Sequence, residues 1–567
     1  MLTIDKLSAE LLGEIFKDIH DSSRHTIFSL LQVNKYISDA ALPFVYRELS
    51  FDFEQRRQLD SEPYTRTLQK IHSLLKLPPN SAVWKEIRTI TVRSKAVKWP
   101  GENPNAGPWR WNARDPPFMP SEEAVQERWD SFIEFLSRVI NLRGLVFDCA
   151  ERVPVILLRH LKDKHPYCGL HVRNWTRLRS DVKFGDAYEE ALARSPCLRS
   201  IEAHFIYGGP QMDFNDAAFD RILALSPRLE EFSLTSRAAG GCATYGFTNE
   251  QRIESEKEKE RFKVAKPVRK GSVKKVKWGN LSSSLFQRWE ALFDLRNVET
   301  MKLGGIYDPG AIEYATDNGI FSGLKHLSFK ILRSFPEDGS QERFKLSLES
   351  FLCSLPELES LSIVNYHGYI DLPFLLRYHG KLLRSLSLHQ VEGTQGPRPV
   401  LTQSNMELIR SDAPLLEHLE LDINRTIDPR TSELHTYEII CSFPNLRSLI
   451  LHYDLGIHSR YLQEYRGTEA SDMEFYRKVY TKPDRDFAVG VWRAVAPGSQ
   501  FERVSLYIGE PDREVGFGYP ASWVIAEKQY RQQIHVSRNE RDDSKDDVGA
   551  LQIIVCGGRA DILSLDN

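Results

Sequence analysis

The sequence predicts an α/β fold in which strand-and-helix repeats stack into a solenoid, preceded by a short all-helical module. Two observations lead to this prediction. Apolar residues with the spacing L-x-x-L-x-L recur along most of the 567 residues, at separations that suit one strand and one helix per repeat. Residues 1–50 instead place their apolar side chains at helical spacing.

The composition excludes several classes of protein. Lys and Arg number 75 against 78 Asp and Glu, so the net charge of −3 provides no overall field for a nucleic acid or an anionic membrane. No run approaches the roughly 18 uninterrupted apolar residues of a membrane span, and the N-terminus lacks the apolar core of a signal peptide. Seven scattered cysteines without a CxxC pair favour reduced thiols, and therefore a cytoplasmic or nuclear protein.

The helical module, residues 1–50, begins with an amphipathic pattern. A capping serine, Ser8, precedes apolar residues at positions 11, 12, 15, 16 and 19, which lie on one side of a helix. A second pattern predicts a helix that ends at Leu42 and Pro43, with an apolar face of Ile27, Leu30, Leu31, Ile37 and Ala41. Helices this short bury little surface alone, so a partner or the next domain must cover them.

This module resembles the F-box motif over about residues 4–50. The residues that match the motif are Leu7, Glu10, Leu11, Leu12, Ile15, Phe16, Leu30, Val33 and Lys35. The run ALPFVYREL at 41–49 looks like the tail often seen in fungal F-box proteins. The sequence departs from the family at Ser8, where proline is usual, and at Ile37, where tryptophan is frequent.

The resemblance implies a partner. In the F-box family an exposed apolar face docks on the Skp-type adaptor of a cullin-RING ubiquitin ligase, in the Ubl conjugation pathway. We therefore expect an adaptor-binding face that consists of Leu7, Leu11, Ile15, Phe16, Leu30 and Val33. An ordinary helical cap on the solenoid is the alternative interpretation of the same residues.

The repeats that follow are similar to degenerate leucine-rich repeats, which implies a horseshoe-shaped solenoid over residues 84–515. The clearest L-x-x-L-x-L runs begin at positions 229, 324, 358, 383, 416 and 446, and weaker runs begin at 87, 142, 198, 298 and 501. From 298 to 446 the first positions advance by 26, 34, 25, 33 and 30 residues, which is close to the repeat length of this class. An unrelated α/β domain with leucine-rich strands is the alternative.

Two finer expectations depend on this register. A proline precedes the strand in several repeats and should turn the chain out of the helix, namely Pro196, Pro227, Pro356, Pro414 and Pro444. The middle leucines of four neighbouring runs should form one inward ladder, which consists of Leu361, Leu386, Leu419 and Leu449.

Segments outside the repeats complete the domain prediction. Residues 51–83 predict a helical linker, and insertions interrupt the solenoid at about 99–120, 236–285 and 455–500. Within the second insertion, residues 252–278 hold eleven Lys or Arg against four Glu, which predicts a mobile basic loop, with a nuclear-import signal as the alternative. In the third, residues 461–480 predict a helix. Residues 516–567 contain two strand-like stretches that should form a hairpin capping the last repeat.

The common catalytic and cofactor-binding motifs are absent, so we predict neither an enzyme nor a cofactor or metal site. His326, His389, His418 and His452 fall on or beside outward positions of successive strands, and we expect solvated histidines there rather than metal ligands. The outward face should recognise a protein target through residues that include Ser360, Ser362, Ser385, Ser387, His418, Glu420, Asp422 and Arg503.

These expectations combine into a substrate adaptor, in which the helical module binds the Skp-type adaptor, and through it a cullin, while the solenoid holds an unknown protein target. Two alternatives stay open at this point. A leucine-rich-repeat scaffold or nuclear adaptor would bind proteins without ligase assembly. An enzyme with an unrecognised site would need convergent buried polar residues with shifted pKa values.

Overall fold

A computed structural model gives the fold of the chain, which clusters into two compact units. The first unit contains residues 1–273 and 291–293, and the second contains 274–290 and 294–567. The structure describes residues 7–22, 24–53, 62–94, 122–149, 152–175, 187–207, 215–238, 271–280, 283–332, 340–392, 398–423, 433–454, 485–496, 501–509, 532–538 and 551–556.

Three short helices open the first unit: α1 (Ala9–Ser22), α2 (Arg24–Leu30) and α3 (Lys35–Tyr46). The side chain of Asn34 caps α3 by accepting a hydrogen bond from the backbone N–H of Ile37 at 2.9 Å. Their common core consists of Leu12, Phe16, Ile27, Ile37, Ala41 and Val45. The predicted end of the second helix at Leu42 and Pro43 is wrong, because α3 continues past Pro43 and the N–H of Arg47 donates to the Pro43 carbonyl.

Six strands of the first unit form a parallel sheet in chain order. They are β1 (Glu48–Asp52), β2 (Thr89–Arg93), β3 (Gly144–Asp148), β4 (Gly169–Trp175), β5 (Leu198–Tyr207) and β6 (Glu231–Ala238). The predicted runs that begin at 87, 142, 198 and 229 coincide with β2, β3, β5 and β6. β1 and β4 were not predicted, and β1 falls at the boundary drawn between the helical module and the helical linker.

Helices alternate with these strands. They are α4 (Glu62–Leu75), α5 (Val83–Glu86), α6 (Glu122–Arg138), α7 (Val155–Lys164), α8 (Ala187–Ala193) and α9 (Asn215–Leu225). α4 lies where a helical linker was predicted. Aromatic rings fill the core behind β1, where Phe51 and Phe53 pack against Trp129 and Phe132 of α6 with ring centroids 5.5 to 6.1 Å apart.

The second unit contains eight parallel strands in chain order and a final antiparallel pair. The parallel strands are β7 (Lys275–Asn280), β8 (Thr300–Ile306), β9 (His326–Ile331), β10 (Ser360–Val364), β11 (Ser385–His389), β12 (His418–Ile423), β13 (Ser448–Tyr453) and β14 (Arg503–Ile508). β15 (Gln532–Arg538) pairs antiparallel with both β14 and β16 (Leu551–Cys556). The predicted C-terminal strands are therefore present, and they pair with each other.

Helices of the second unit are α10 (Ser283–Leu292), α11 (Pro309–Asp317), α12 (Ser340–Ser354), α13 (Leu372–His379), α14 (Gln403–Asp412), α15 (Glu433–Cys441) and α16 (Arg485–Val495). Short 3₁₀ turns occupy Leu295–Asn297 and Gly380–Leu382. All five prolines predicted to precede strands lie between a helix and the next strand, where they end the helical conformation.

The register of the second unit confirms the predicted leucine ladder. Leu361 pairs with Leu386, Leu386 with Leu419, and Leu419 with Leu449, and all four side chains are buried. One backbone motif recurs at the start of the strands β8 to β14: two consecutive N–H groups donate to a single carbonyl that precedes the neighbouring strand. Glu417 and His418, for example, both donate to the carbonyl of Arg384. The sequence pattern and the strand register therefore agree, and the predicted α/β class is confirmed.

The insertions differ from their prediction in two places. The segment predicted as an insertion at 236–285 contains β7, whose Val276 and Trp278 are buried together with Val273. The segment at 455–500 contains α16. The insertion at 99–120 and the helix predicted at 461–480 lie outside the described residues.

Candidate functional site

The helical module leaves apolar side chains on its outside. Leu11 and Ile15 on α1 are 55% and 36% exposed, and Val33, between α2 and α3, is 58% exposed. The rings of Phe28 on α2 and Tyr36 on α3 are exposed as well. We call these five residues the apolar face. Tyr36 also fastens the N-terminal segment, since its hydroxyl donates to the Leu7 carbonyl at 2.7 Å. Exposed apolar side chains in this number within so small a module are typical of an interaction surface.

The predicted adaptor-binding face is partly wrong. Phe16 is fully buried, and its ring packs edge-on against Phe44 at 6.4 Å between centroids, so it holds the three helices together. Leu7 and Leu30 are half-buried against the same core. Of the six predicted residues, Leu11, Ile15 and Val33 are exposed.

The residues predicted to bind a target lie on the outward positions of β10, β11, β12 and β14, but their surroundings differ. His418 and Arg503 are exposed, and Ser360, Ser362, Ser385 and Glu420 are half-buried. Ser387 and Asp422 are buried, so their assignment to an open recognition surface is wrong. They belong to a group of polar residues enclosed in the second unit.

We call that group the buried polar cluster: His389, Arg398, Glu420, Asp422 and His452. Nδ1 of His389 lies 2.7 Å from Oδ1 of Asp422, whose other oxygen accepts the Gln390 backbone N–H at 2.6 Å. The guanidinium of Arg398 lies 3.4 Å from the same carboxylate. Because the Asp422 and Arg398 side chains are each only 1% exposed, their opposite charges compensate one another out of water.

Arg398 and His452 connect this ion pair to the next strand. Nη2 of Arg398 donates to the carbonyls of Ile423 and His452, at 3.0 and 2.7 Å. Nε2 of His452 lies 2.6 Å from Oε1 of Glu420. The ring of His452 lies between the rings of His389 and Tyr507, with centroids 4.2 and 5.1 Å away. Polar contacts therefore connect β11, β12 and β13, and ring stacking on Tyr507 extends the arrangement to β14.

Electrostatics in the cluster follow from burial and hydrogen bonding. Burial by itself would raise the pKa of the Glu420 carboxyl, but hydrogen bonds from His452 and Ser387 lower it below its ordinary value. Burial raises the pKa of the Tyr366 hydroxyl, and the nearby negative charge of Asp422 raises it further. Glu420 is therefore held as an anion.

The structure corrects the prediction of solvated histidines at two of four positions. His389 and His452 are buried, His326 is half-buried and His418 is exposed. Each buried histidine has a carboxylate partner on the neighbouring strand. Asp422 contacts His389, and Glu420, which lies diagonally across from His452, contacts His452. Within the residues that the structure describes, no group of three or more His, Cys, Asp or Glu side chains is arranged to hold a metal ion.

Several residues of these sites escaped the sequence analysis. Phe28 and Tyr36 of the apolar face lie outside the motif positions, and each is adjacent to a buried isoleucine, so local spacing gave no separate signal for their exposure. Arg398 lies between two strands that are consecutive along the chain, and its partner Asp422 is 24 positions away in the sequence. The sequence did offer one signal for the cluster: a histidine, an aspartate and a histidine occupy equivalent positions of three successive strands, at 389, 422 and 452.

The described cysteines and helices add two observations. Cys149, Cys168, Cys197, Cys353 and Cys441 are free thiols. Burial raises the pKa of the Cys168 thiol to about 12, so this thiol stays protonated.

No helix in the described ranges has both the length and the apolar character needed to cross a bilayer.

Neither the models of protein families nor the curated protein sequences contain a match to this chain.

Proposed function

We propose that this chain is the substrate-recognition adaptor of a Skp-cullin-F-box type ubiquitin ligase. The observation that carries the proposal is the apolar face of the helical module, where Leu11, Ile15 and Val33 match the F-box motif and are exposed. Their side chains are held outward by a core that the other motif residues Leu12 and Phe16 supply. A Skp-type adaptor would cover this face and remove its apolar surface from water.

The second part of the proposal assigns target binding to a leucine-rich-repeat solenoid. Parallel strands in chain order, the leucine ladder and the recurring N–H pairs at each turn support a repeat architecture of this kind. Such a surface binds proteins over several strands at once. The chain would then position a target while other subunits of the ligase carry out ubiquitin transfer, and it would act in the cytoplasm, the nucleus or both.

Affinity purification of the tagged full chain, with mass spectrometry of the recovered proteins, tests the proposal. We expect a Skp-type adaptor and a cullin in amounts comparable to the chain, and we expect both to disappear when Leu11 and Ile15 are replaced by Asp. Recovery of other proteins without the adaptor would contradict ligase assembly and support the scaffold instead. Circular dichroism of the variant with Leu11→Asp and Ile15→Asp is the control that shows whether it is folded.

A further inference from the structure

The outward face of the first three strands of the second unit carries lysines that form no ion pair with any residue the structure describes. Val276, Trp278, Met301, Leu303, Leu327 and Phe329 are buried, so the alternating positions between them point outward. Those outward positions include Lys275 and Lys277 on β7, Lys302 on β8 and Lys330 on β9. We call these four residues the lysine face.

Within β7, β8 and β9, the described strands that form the lysine face, no acidic side chain compensates the charge of the lysines. The outward positions of β7, β8 and β9 contain no Asp or Glu; besides the lysines they hold Gly279, Thr300, Gly304, His326 and Ser328. Glu299, at the turn before β8, lies instead between Lys274 and Lys325, at 4.0 and 3.8 Å. Asp308, after β8, accepts the backbone N–H groups of Gly310 and Ser283.

One pair in this face is unfavourable for the isolated protein. Lys277 and Lys302 are direct cross-strand partners, and among the described residues neither has an ion-pair partner. Like charges directly opposite one another destabilise a sheet. An acidic residue at either position would relieve the repulsion, so the paired lysines are better explained by a ligand than by folding.

Glycines on two adjacent strands lie beside the lysines and present no side chain there. Gly304 and Gly279 lie on adjacent strands, and a Cβ at Gly304 would come within 2.7 Å of the Gly279 carbonyl oxygen. The close strand contact therefore requires glycine, and it leaves bare backbone beside Lys302. Ser328 on β9 pairs with Lys302, and Ser362 on β10 pairs with Ser328, so two serine hydroxyls continue the same outward row.

We propose that the lysine face binds an acidic segment of a partner protein, one that presents carboxylate or phosphate groups along an extended chain. Lysine ammonium groups are point charges that suit either group, and the serine hydroxyls offer additional hydrogen bonds. A nucleic acid is less suited, because the outward positions of β7 to β9 contain no aromatic side chain for base stacking. If the segment belongs to a ubiquitylation target, this inference rests on the proposed function, and the target is then a protein with an acidic or phosphorylated extended segment.

Binding of the purified full chain to a synthetic peptide array tests the inference. The array varies net charge at constant length, includes phosphoserine, and is accompanied by single-stranded DNA of matched charge. We expect binding to increase with negative charge on the peptide and to weaken as salt is added. Lys302→Glu should weaken binding about tenfold or more. It should also leave the melting temperature equal or higher, because Glu would then face Lys277.

Two controls separate the possible outcomes. Lys381→Glu makes the same change of charge in the exposed turn before β11 and should bind like the parent. The variant with Leu11→Asp and Ile15→Asp should lose adaptor capture and keep peptide binding. The two measurements therefore test the proposed function and the lysine face separately. Binding that ignores peptide charge, undiminished binding by Lys302→Glu, or tighter binding to the DNA overturns the inference.

Discussion

Leu419 and Glu420 are adjacent in β12, yet their surroundings differ in kind. Leu419 belongs to the buried leucine ladder, and its truncation to alanine should cost about 2 to 5 kcal/mol through lost burial and an unfilled cavity. Urea titration of the variant measures this loss. A difference below about 0.5 kcal/mol, the range of ordinary surface substitutions, would contradict the strand register.

Glu420 is more important to the fold than an outward position suggests. It accepts the hydrogen bond of His452, whose side chain is 4% exposed, so Glu420→Ala leaves a buried polar group without its partner. We expect a loss of about 1 to 3 kcal/mol in unfolding free energy. Glu407→Ala, at an exposed position of α14, is the matched control and should change stability little. Equal effects of the two substitutions would mean that the buried polar cluster contributes nothing.

His379 links stability to pH. Burial lowers the pKa of its imidazole below the ordinary 6.5, although a hydrogen bond with the Leu352 carbonyl partly opposes the shift. Below pH 6.5 the unfolded chain takes up a proton that the folded chain does not, so stability falls as the pH decreases from 6.5 towards the folded pKa.

The variant His379→Gln should show a shallower loss of melting temperature over that interval. Part of the pH dependence should remain, because burial lowers the pKa values of His160, His165 and His171 in the same direction. A pH profile of His379→Gln identical to that of the parent would contradict a role for His379.

Among the secondary-structure elements, the strands with an L-x-x-L-x-L run and the two C-terminal strands could be predicted, whereas β1, β4 and β7 could not. The run fixes which residues alternate inward, so β10 to β14 followed from spacing alone. β1 and β7 lack such a run. Each strand has two inward apolar residues, Leu49 and Phe51 in β1 and Val276 and Trp278 in β7, among charged or polar neighbours. Their strand conformation depends on pairing with β2 and β8, which a local pattern does not report.

The candidate sites were predictable to a smaller extent. Phe16 was assigned to the wrong side of α1 because the helix has apolar residues at 11 and 15 as well as at 12 and 16, and spacing does not tell which stripe becomes the core. The buried polar cluster depends on Arg398, whose contacts with Asp422 and His452 connect separate parts of the chain. Contacts of this range are set by tertiary packing.

β7 changes the expected effect of removing the basic segment. Deletion of 252–270 should leave the melting temperature close to that of the parent, because these residues are highly charged and have few apolar side chains. Deletion of 252–278 also removes the buried Val276 and Trp278 of the second unit and should destabilise that unit strongly. Thermal unfolding of both variants measures the contrast, and a large loss in the shorter deletion would contradict it. Unchanged nuclear entry of that variant would remove the import signal.

For the whole molecule, the proposed function requires that the helical module recruits the adaptor while the repeats hold a target. Leu11 and Ile15 lie about 40° apart around the axis of α1, whereas Lys17 lies on another exposed side of the same helix. Replacing Leu11 and Ile15 with Asp lowers the net charge by two, and so does Lys17→Asp. The two variants therefore differ in the surface they alter and not in charge.

The most direct test of the central claim is the affinity of the purified chain for a purified Skp-type adaptor, measured by isothermal titration calorimetry. We expect one-to-one binding by the parent and by Lys17→Asp, and loss of binding when Leu11 and Ile15 are both Asp. The double variant should retain the melting temperature of the parent, because both side chains are outside the core of the helical module. No binding by the parent, or undiminished binding by the folded double variant, would contradict the claim that this face recruits the ligase.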